Sequence, residues 1–232
     1  MTRSNNSSFN QSGFSLLELL IAMSLTLGIM TIGSTLLATS FAVRNRENRR
    51  SSAIADAQRA LNTMSREIAN AGYGLSTNGI VVGGDSGTNS IRFRSNLDGS
   101  SATDGAGEDV KYILINDANG SFIVRMDLQP SQTTSLIANR IDGLKIRYYD
   151  ERVTYTIGNC MSGVANCDIS NVRNSAGTTE AEVTPNNAKY VVLILSVTLP
   201  AVGTQGSTGY QPASATQLVS SVWLRNASVD VY

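Results

Sequence analysis

"QSGFSLLELLIAMSLTLGIMTIGSTLLATSFAV", residues 11–43, decides the architecture. From Phe14 to Phe41 every residue is apolar, small or hydroxylated, with Glu18 the one exception. As a helix rising 1.5 Å per residue, this run reaches roughly 40 Å, against a hydrocarbon core of about 30 Å. It predicts a segment that spans a bilayer and projects beyond it. A secretory signal peptide competes with this reading, but its apolar region is about 7 to 15 residues long and precedes the cleavage site. Here the run is about twice that length, and the polar-to-apolar break, Gly13–Phe14, comes before it. Cleavage at that break would remove only the polar leader, residues 1–13, and keep the helix.

Glu18 needs an explanation of its own. A carboxylate at bilayer depth costs about 2.5–3.5 kcal/mol, and such residues usually have a partner. It can sit in the first helical turn and favour the macrodipole, or reach back to the headgroups. Cleavage after Gly13 opens a third reading. The new amine at Phe14 would lie about one turn from Glu18. In an array of packed helices, Glu18 of one chain could then pair with the amine of its neighbour, compensating both charges and fixing the axial stagger.

"GFSLLELLIAMSL", residues 13–25, resembles the type IV prepilin signature, and the likeness extends over residues 12 to 40. The resemblance implies a leader removed by prepilin peptidase after Gly13, N-methylation of Phe14 by the same enzyme, and subunit docking by Glu18. Many major pilins of this kind carry a proline in the middle of the helix; this chain has Thr35 in that neighbourhood and no proline. Gly28 and Gly33 in the apolar half read either as sites of close helix packing or as points where the helix can stretch.

Immediately after the apolar run comes "RNRENRR", residues 44–50. The positive-inside rule would put this end in the cytoplasm, whereas the prepilin resemblance puts it outside. The arginines read as headgroup-facing or filament-surface charges. The overall charge is balanced, with 18 basic and 18 acidic residues, so no nucleic-acid partner is predicted.

The helical pattern continues in "SSAIADAQRALNTMSREIANAGYG", residues 51–74. Ile54, Ala57, Leu61, Met64, Ile68 and Ala71 recur at steps of three and four, a narrow apolar stripe, with Arg59, Arg66 and Glu67 off it. The glycines of "AGYG" predict a stop near Gly72. The stripe needs a folded domain to cover it.

Beyond Gly72 the composition turns to β. Strands are predicted over 90–96, 109–117 and 121–128, the last two joined as a hairpin through "ANG". A further pair is predicted from 143–150 and 153–158 across Glu151–Arg152. The most hydrophobic segment, 188–200, is expected to be central, and 216–229 closes the chain. The stretches 75–89, 97–108, 159–187 and 201–215 read as loops.

The chain lacks histidine, which excludes a histidine-based triad and a histidine-ligated zinc site. The two cysteines, Cys160 and Cys167, are too few and wrongly spaced for zinc. They read as a local disulfide, hence an oxidising compartment, or as two unpaired thiols. "DGSSATDGAGED", residues 98–109, reads mainly as a solvated acidic loop. Calcium binding through Asp98, Asp104, Glu108 and Asp109 is a weaker reading, because the spacing is not that of an EF-hand. A glycosidase-type pair, Asp104 and Glu108, has no support beyond the presence of two carboxylates. No catalytic site, metal or cofactor is predicted.

The β-rich domain and "SREIANAGYGL", residues 65–75, resemble PilW-type minor pilins, mainly over residues 50 to 75. The expected fold is α+β, a long N-terminal helix followed by an antiparallel sheet domain. The expected divisions are a leader (1–13), a transmembrane or filament-core helix (14–41), its amphipathic continuation (42–72) and a globular domain (73–232). The resemblance implies a non-enzymatic minor pilin that takes part in pilus assembly or priming. Its implied partners are other minor and major pilins, prepilin peptidase, the assembly platform in the inner membrane, and membrane lipid before assembly. Its implied locations are the bacterial inner membrane, with the C-terminal domain outside the cytoplasm, and the extracellular pilus. Two alternatives share much of this sequence logic: a J-type pseudopilin of a type II secretion system, and a membrane-tethered adhesion or binding module that never polymerises.

Overall fold

The computed structural model describes residues 13–100, 102–118, 120–139, 141–158, 160, 167–206 and 210–227. The expected leader therefore lies, except for Gly13, outside the described residues. Among the described residues one α-helix, α1 (Leu16–Ile68), is followed by nine strands, β1 (Ser90–Arg94), β2 (Asp109–Asp117), β3 (Gly120–Asp127), β4 (Thr133–Asn139), β5 (Gly143–Tyr149), β6 (Thr154–Ile157), β7 (Ile169–Arg173), β8 (Tyr190–Leu199) and β9 (Ser214–Trp223). The fold is the expected α+β arrangement of a long helix with antiparallel sheets. The chain divides into two compact units, one ending at Arg46 and the other starting at Glu47.

In the second unit the remainder of α1 buries one face. Ala53, Ala57, Ala60, Leu61, Met64 and Ile68 are all buried. The buried face is thus broader than the predicted stripe, and Ile54 is only half-buried. The small residues Ala53, Ala57 and Ala60 let the helix backbone approach the sheets, while Leu61, Met64 and Ile68 supply bulk. Full burial of each of these three contributes about 1.5–3 kcal/mol.

The chain forms antiparallel sheets, the two larger of which receive this face. One has the order β1-β2-β3-β4, another β5-β8-β9, and a third is the pair β6-β7. Helix and sheets share one core that includes Ile91, Phe93, Tyr112, Ile123, Leu144, Ile146, Leu193, Leu195 and Val222. A second core lies on the other face of β8, where Tyr190, Val192 and Ile194 meet Tyr149 and Val153, with Tyr155, Ile169 and Val172 of the β6-β7 region packed against it. Being covered on both faces explains why β8 reads as an almost unbroken hydrophobic run, and it holds the predicted central position.

Several expectations need correction. The helix ends at Ile68 and continues as turns to Gly74, with Gly72 in the left-handed region at φ +77°. The Gly72 amide bonds the Arg94 carbonyl at 2.9 Å, so tertiary pairing replaces the last predicted turn of helix. Strands β5 and β6 do not pair with each other: β5 pairs with β8, and β6 with β7. Residues 159–187, read as one loop, contain β7 and a 3₁₀ turn at Pro185–Asn187. The mostly polar β7 is drawn into a strand by backbone pairing with β6, which no side-chain pattern announces. Strand β4, also unforeseen, is a sheet edge whose first residues are exposed. The hairpin of β2 and β3 forms as read, with Asp117 opposite Gly120.

Candidate functional site at the start of the helix

Gly13 and Phe14 precede α1 in extended or irregular backbone, and Phe14 is 83 % exposed. Ser15 sets the helix start. Its hydroxyl oxygen accepts from the Leu17 amide at 3.3 Å, and its carbonyl accepts from the Leu19 amide at 3.1 Å. This side-chain cap satisfies one of the donors that the first turn leaves without an intrahelical acceptor. Glu18 falls inside that first turn, where the helix dipole favours a negative charge. Gly13, Phe14 and Glu18 thus lie together at one end of α1, all exposed.

Along the apolar half, side chains stand open. Phe14, Leu16, Leu17, Leu20, Met23, Leu25, Ile29 and Met30 are each at least 60 % exposed. An aqueous surface does not carry such an area on a monomer; lipid or neighbouring helices must cover it. The hydroxyls in this half settle which solvents it tolerates. Ser24, Thr26, Thr31, Ser34, Thr35, Thr39 and Ser40 each donate to a backbone carbonyl three or four residues earlier. No donor among them needs water, so the helix can enter hydrocarbon without orphaned hydroxyls. Composition alone shows these residues only as hydroxylated members of the apolar run; their satisfaction comes from the helical backbone. Length and composition make α1 able to cross a membrane. At Gly28 and Gly33 an added Cβ would meet nothing within 4 Å.

In the second unit, Cys160 and Cys167 form a disulfide with Cα atoms 4.7 Å apart; residues 161–166 between them lie outside the described residues. The acidic stretch differs from its reading as solvated. Asp98 and Asp104 are exposed, but Glu108 and Asp109 are buried. The Glu108 carboxylate accepts from the amides of Leu97 at 2.6 Å, Asp98 at 3.1 Å and Gly105 at 2.8 Å, which folds the loop around it. Asp109 accepts from Arg92 Nε at 2.7 Å and Arg94 Nε at 2.8 Å. Burial pushes the Asp109 carboxyl up, but the bonds from Arg92 and Arg94 outweigh it and hold the group below its ordinary value. Both carboxylates are committed to protein partners. Neither the calcium reading nor the Asp104–Glu108 pair gains support, and among the described residues no group of three or more metal-ligating side chains assembles.

Glu67, assigned off the apolar stripe, also has a structural task. It accepts from Tyr112 Oη at 2.7 Å and Arg125 Nε at 2.9 Å, tying the end of the helix to β2 and β3. Burial in particular pushes the Tyr112 hydroxyl up, with the Glu67 carboxylate adding to it.

Residues 8–41 match the family model described as the prokaryotic N-terminal methylation motif. Neither a curated protein nor a solved structure matches the chain. The matched span contains Gly13, Phe14, Glu18 and most of the exposed apolar half, and with that helix it fits a protein anchored in the inner membrane. The N-terminal segment is therefore type IV prepilin-like, of pilin or pseudopilin kind, and its motif family is structural and not enzymatic.

Proposed function

We propose that the chain is a minor pilin subunit of a type IV pilus that takes part in pilus assembly or priming. The observation that carries the reading is the methylation-motif match over residues 8–41 on a helix whose apolar side chains are open along its first half. Prepilin peptidase cleaves after Gly13 and methylates the new amine of Phe14. Before assembly, residues 14–41 are held in the inner membrane and the C-terminal domain lies outside the cytoplasm, where the Cys160–Cys167 disulfide is stable. On assembly, helix–helix contact replaces lipid contact around α1. Glu18 then pairs with the Phe14 amine of a neighbouring major or minor pilin. Desolvation in the helix bundle strengthens that pair, and its geometry sets the stagger.

The test is Glu18→Val. Membrane insertion should survive, since the substitution removes a charge from an apolar helix. Incorporation into sheared filaments should fall at least tenfold, the effect of losing about 1.4 kcal/mol of coupling. Normal incorporation would refute the docking role.

The J-type pseudopilin reading draws on the same motif, which covers both kinds. Deletion separates them: loss of surface pili supports the pilus, and loss of protein secretion supports the secretion machine. A membrane-tethered adhesin would yield only monomer in crosslinking from a cysteine placed near Phe14.

A further inference from the structure

We propose that the outer edge of β4 docks a second copy of this chain, the two β4 strands pairing antiparallel about a two-fold axis at Ser135. The pairing concerns the second unit alone and does not depend on the filament reading of α1.

Sheet geometry fixes which backbone groups β4 leaves open. Strands β2 and β3 meet in a hairpin with Asp117 opposite Gly120. That is the closing pair of a two-residue turn, whose members exchange both backbone bonds. Bonded pairs then alternate, so even-numbered residues of β3 bond β2 and odd-numbered ones bond β4. Two bonds just outside the ladders agree. The Leu128 amide donates to the Asp109 carbonyl at 2.8 Å, and the Ile141 amide to the Ser121 carbonyl at 3.2 Å. Arg125 stands opposite Ser135 and Asp127 opposite Thr133, so the backbones of Thr133 and Ser135 turn toward β3. Those of Thr134 and Leu136 turn outward. Past them the register shifts, with Val124 opposite Leu136 but Ile123 opposite Ala138. Ile137 is the extra residue of a bulge, which ends the straight edge.

The other sheet margins are dressed. Beside β1, the Val81 amide bonds the Arg92 carbonyl at 2.9 Å and the Arg94 amide bonds the Gly79 carbonyl at 2.8 Å. On β5, the Ile146 amide bonds the Thr88 carbonyl at 2.8 Å. Beside β9, Tyr155 Oη lies 2.6 Å from Ser221 Oγ and Cys160 Sγ 3.2 Å from Gln217 Oε1. At β4, by contrast, no hydrogen bond among the described residues joins residues 133–136 to anything beyond β3. All four are exposed, and Leu136 is 53 % exposed. The strand has neither a charge nor a proline, the devices that ordinarily keep free edges apart. A second copy fits because the edge matches itself, as a two-fold interface requires. With the axis at Ser135, Thr134 of each copy faces Leu136 of the other, and their outward amides and carbonyls satisfy one another. Neutral side chains set no like charges opposite each other. Leu136 is then covered between Val124 of its own β3 and Thr134 of the second copy. An axis at Thr134 would set Leu136 against Gln132, ahead of the strand, and one at Leu136 would set Thr134 against Ala138, past the bulge.

The experiment uses the full chain in detergent micelles with the Cys160–Cys167 disulfide intact. Ser135→Cys and Thr133→Cys are each oxidised mildly, and the linked peptides are identified by mass spectrometry. At a non-bonded antiparallel position the two Cα atoms at 135 would lie about 4.5 Å apart, within disulfide reach. The two at 133 would be displaced by about 13 Å along the strands. The symmetric crosslink at 135 should therefore exceed that at 133 at least about tenfold. Thr134→Pro, added to Ser135→Cys, removes an outward amide and leaves the β3 ladder intact. It should cut the crosslink about tenfold, the weight of the two amide bonds lost from a symmetric pair. Leu136→Lys, at an exposed position, should do the same by charging the edge, and it should melt like its parent. Equal crosslinking at 133 and 135, or crosslinking unchanged by both edge variants, would overturn the β4 pairing and assign any dimer to α1. A Ser135→Cys chain that melts like wild type and stays monomeric would overturn it as well. These outcomes leave the Glu18→Val filament test untouched.

Discussion

Asp109→Ala offers a quantitative test of the core beneath β1 and β2. The Asp109 side chain is 2 % exposed and accepts from Arg92 Nε and Nη2 and from Arg94 Nε, at 2.7, 2.8 and 2.8 Å. Removing one partner of a buried ion pair costs about 3–5 kcal/mol because the other charge is stranded. Two features pull the cost toward the lower end. Arg92 keeps Asp85, bound at 2.8 Å, and Arg94 is 42 % exposed, so water can solvate it. The expected loss is about 3 kcal/mol for alanine and about 2 kcal/mol for asparagine, which keeps the shape and one acceptor. At about 2–4 °C per kcal/mol for a domain of this size, alanine should lower Tm by roughly 6–12 °C. The assay is thermal unfolding of the full chain in detergent micelles, followed by fluorescence of Trp223, the only tryptophan, on β9. The pH dependence has a definite sign. The Asp109 carboxyl titrates below its ordinary value in the folded state, so its stabilisation is complete above about pH 4 and is lost as pH falls through the lowered folded value. The gap between wild type and Asp109→Asn should therefore narrow below about pH 4. A Tm change under about 2 °C for Asp109→Ala would refute the buried-pair reasoning.

Two further outcomes follow from the same melts. Gly79→Ala should destabilise by more than about 3 kcal/mol, because the added Cβ would lie 2.2 Å from the Gly72 nitrogen and 2.3 Å from the Arg94 oxygen at φ +75°. Gly83→Ala, at φ +87° with nothing within 4 Å, should cost only about 1–2 kcal/mol, so equal losses would contradict the crowding. Replacing Cys160 and Cys167 by serine should cost about 2.5 kcal/mol, the closure entropy of a loop with a sequence separation of 7. Reductant should lower the wild-type Tm similarly and leave the variant unchanged.

Much of this was legible because side-chain pattern and environment agree. The apolar run and the glycines after Ala71 are each tied to one physical cause, and the hydrophobic run of β8 reports burial on both faces. What escaped depends on partners distant in sequence. Strand β7 has no period-two pattern to announce it, and its existence comes from pairing with β6. Glu108 and Asp109 look like loop acids until the backbone amides of residues 97, 98 and 105 and the arginines of β1 converge on them. Glu67 looks like a solvated helix residue until Tyr112 and Arg125 arrive from β2 and β3. At the candidate site, the sequence singles out Gly13, Phe14 and Glu18 by type and spacing, and the structure adds that all three are exposed at the start of α1. The carbonyl bonds that quiet seven hydroxyls in the apolar half were readable only in principle, from their helical context.

The most direct test of the central claim is the mass of the mature N-terminal peptide, isolated from the inner membrane of cells with an active prepilin peptidase. The account predicts a chain beginning at Phe14 with one methyl group on its amine, and a Gly13→Ala variant that retains the leader. A mature chain beginning at Met1 would leave Glu18 without the amine it is proposed to meet, and would contradict the account.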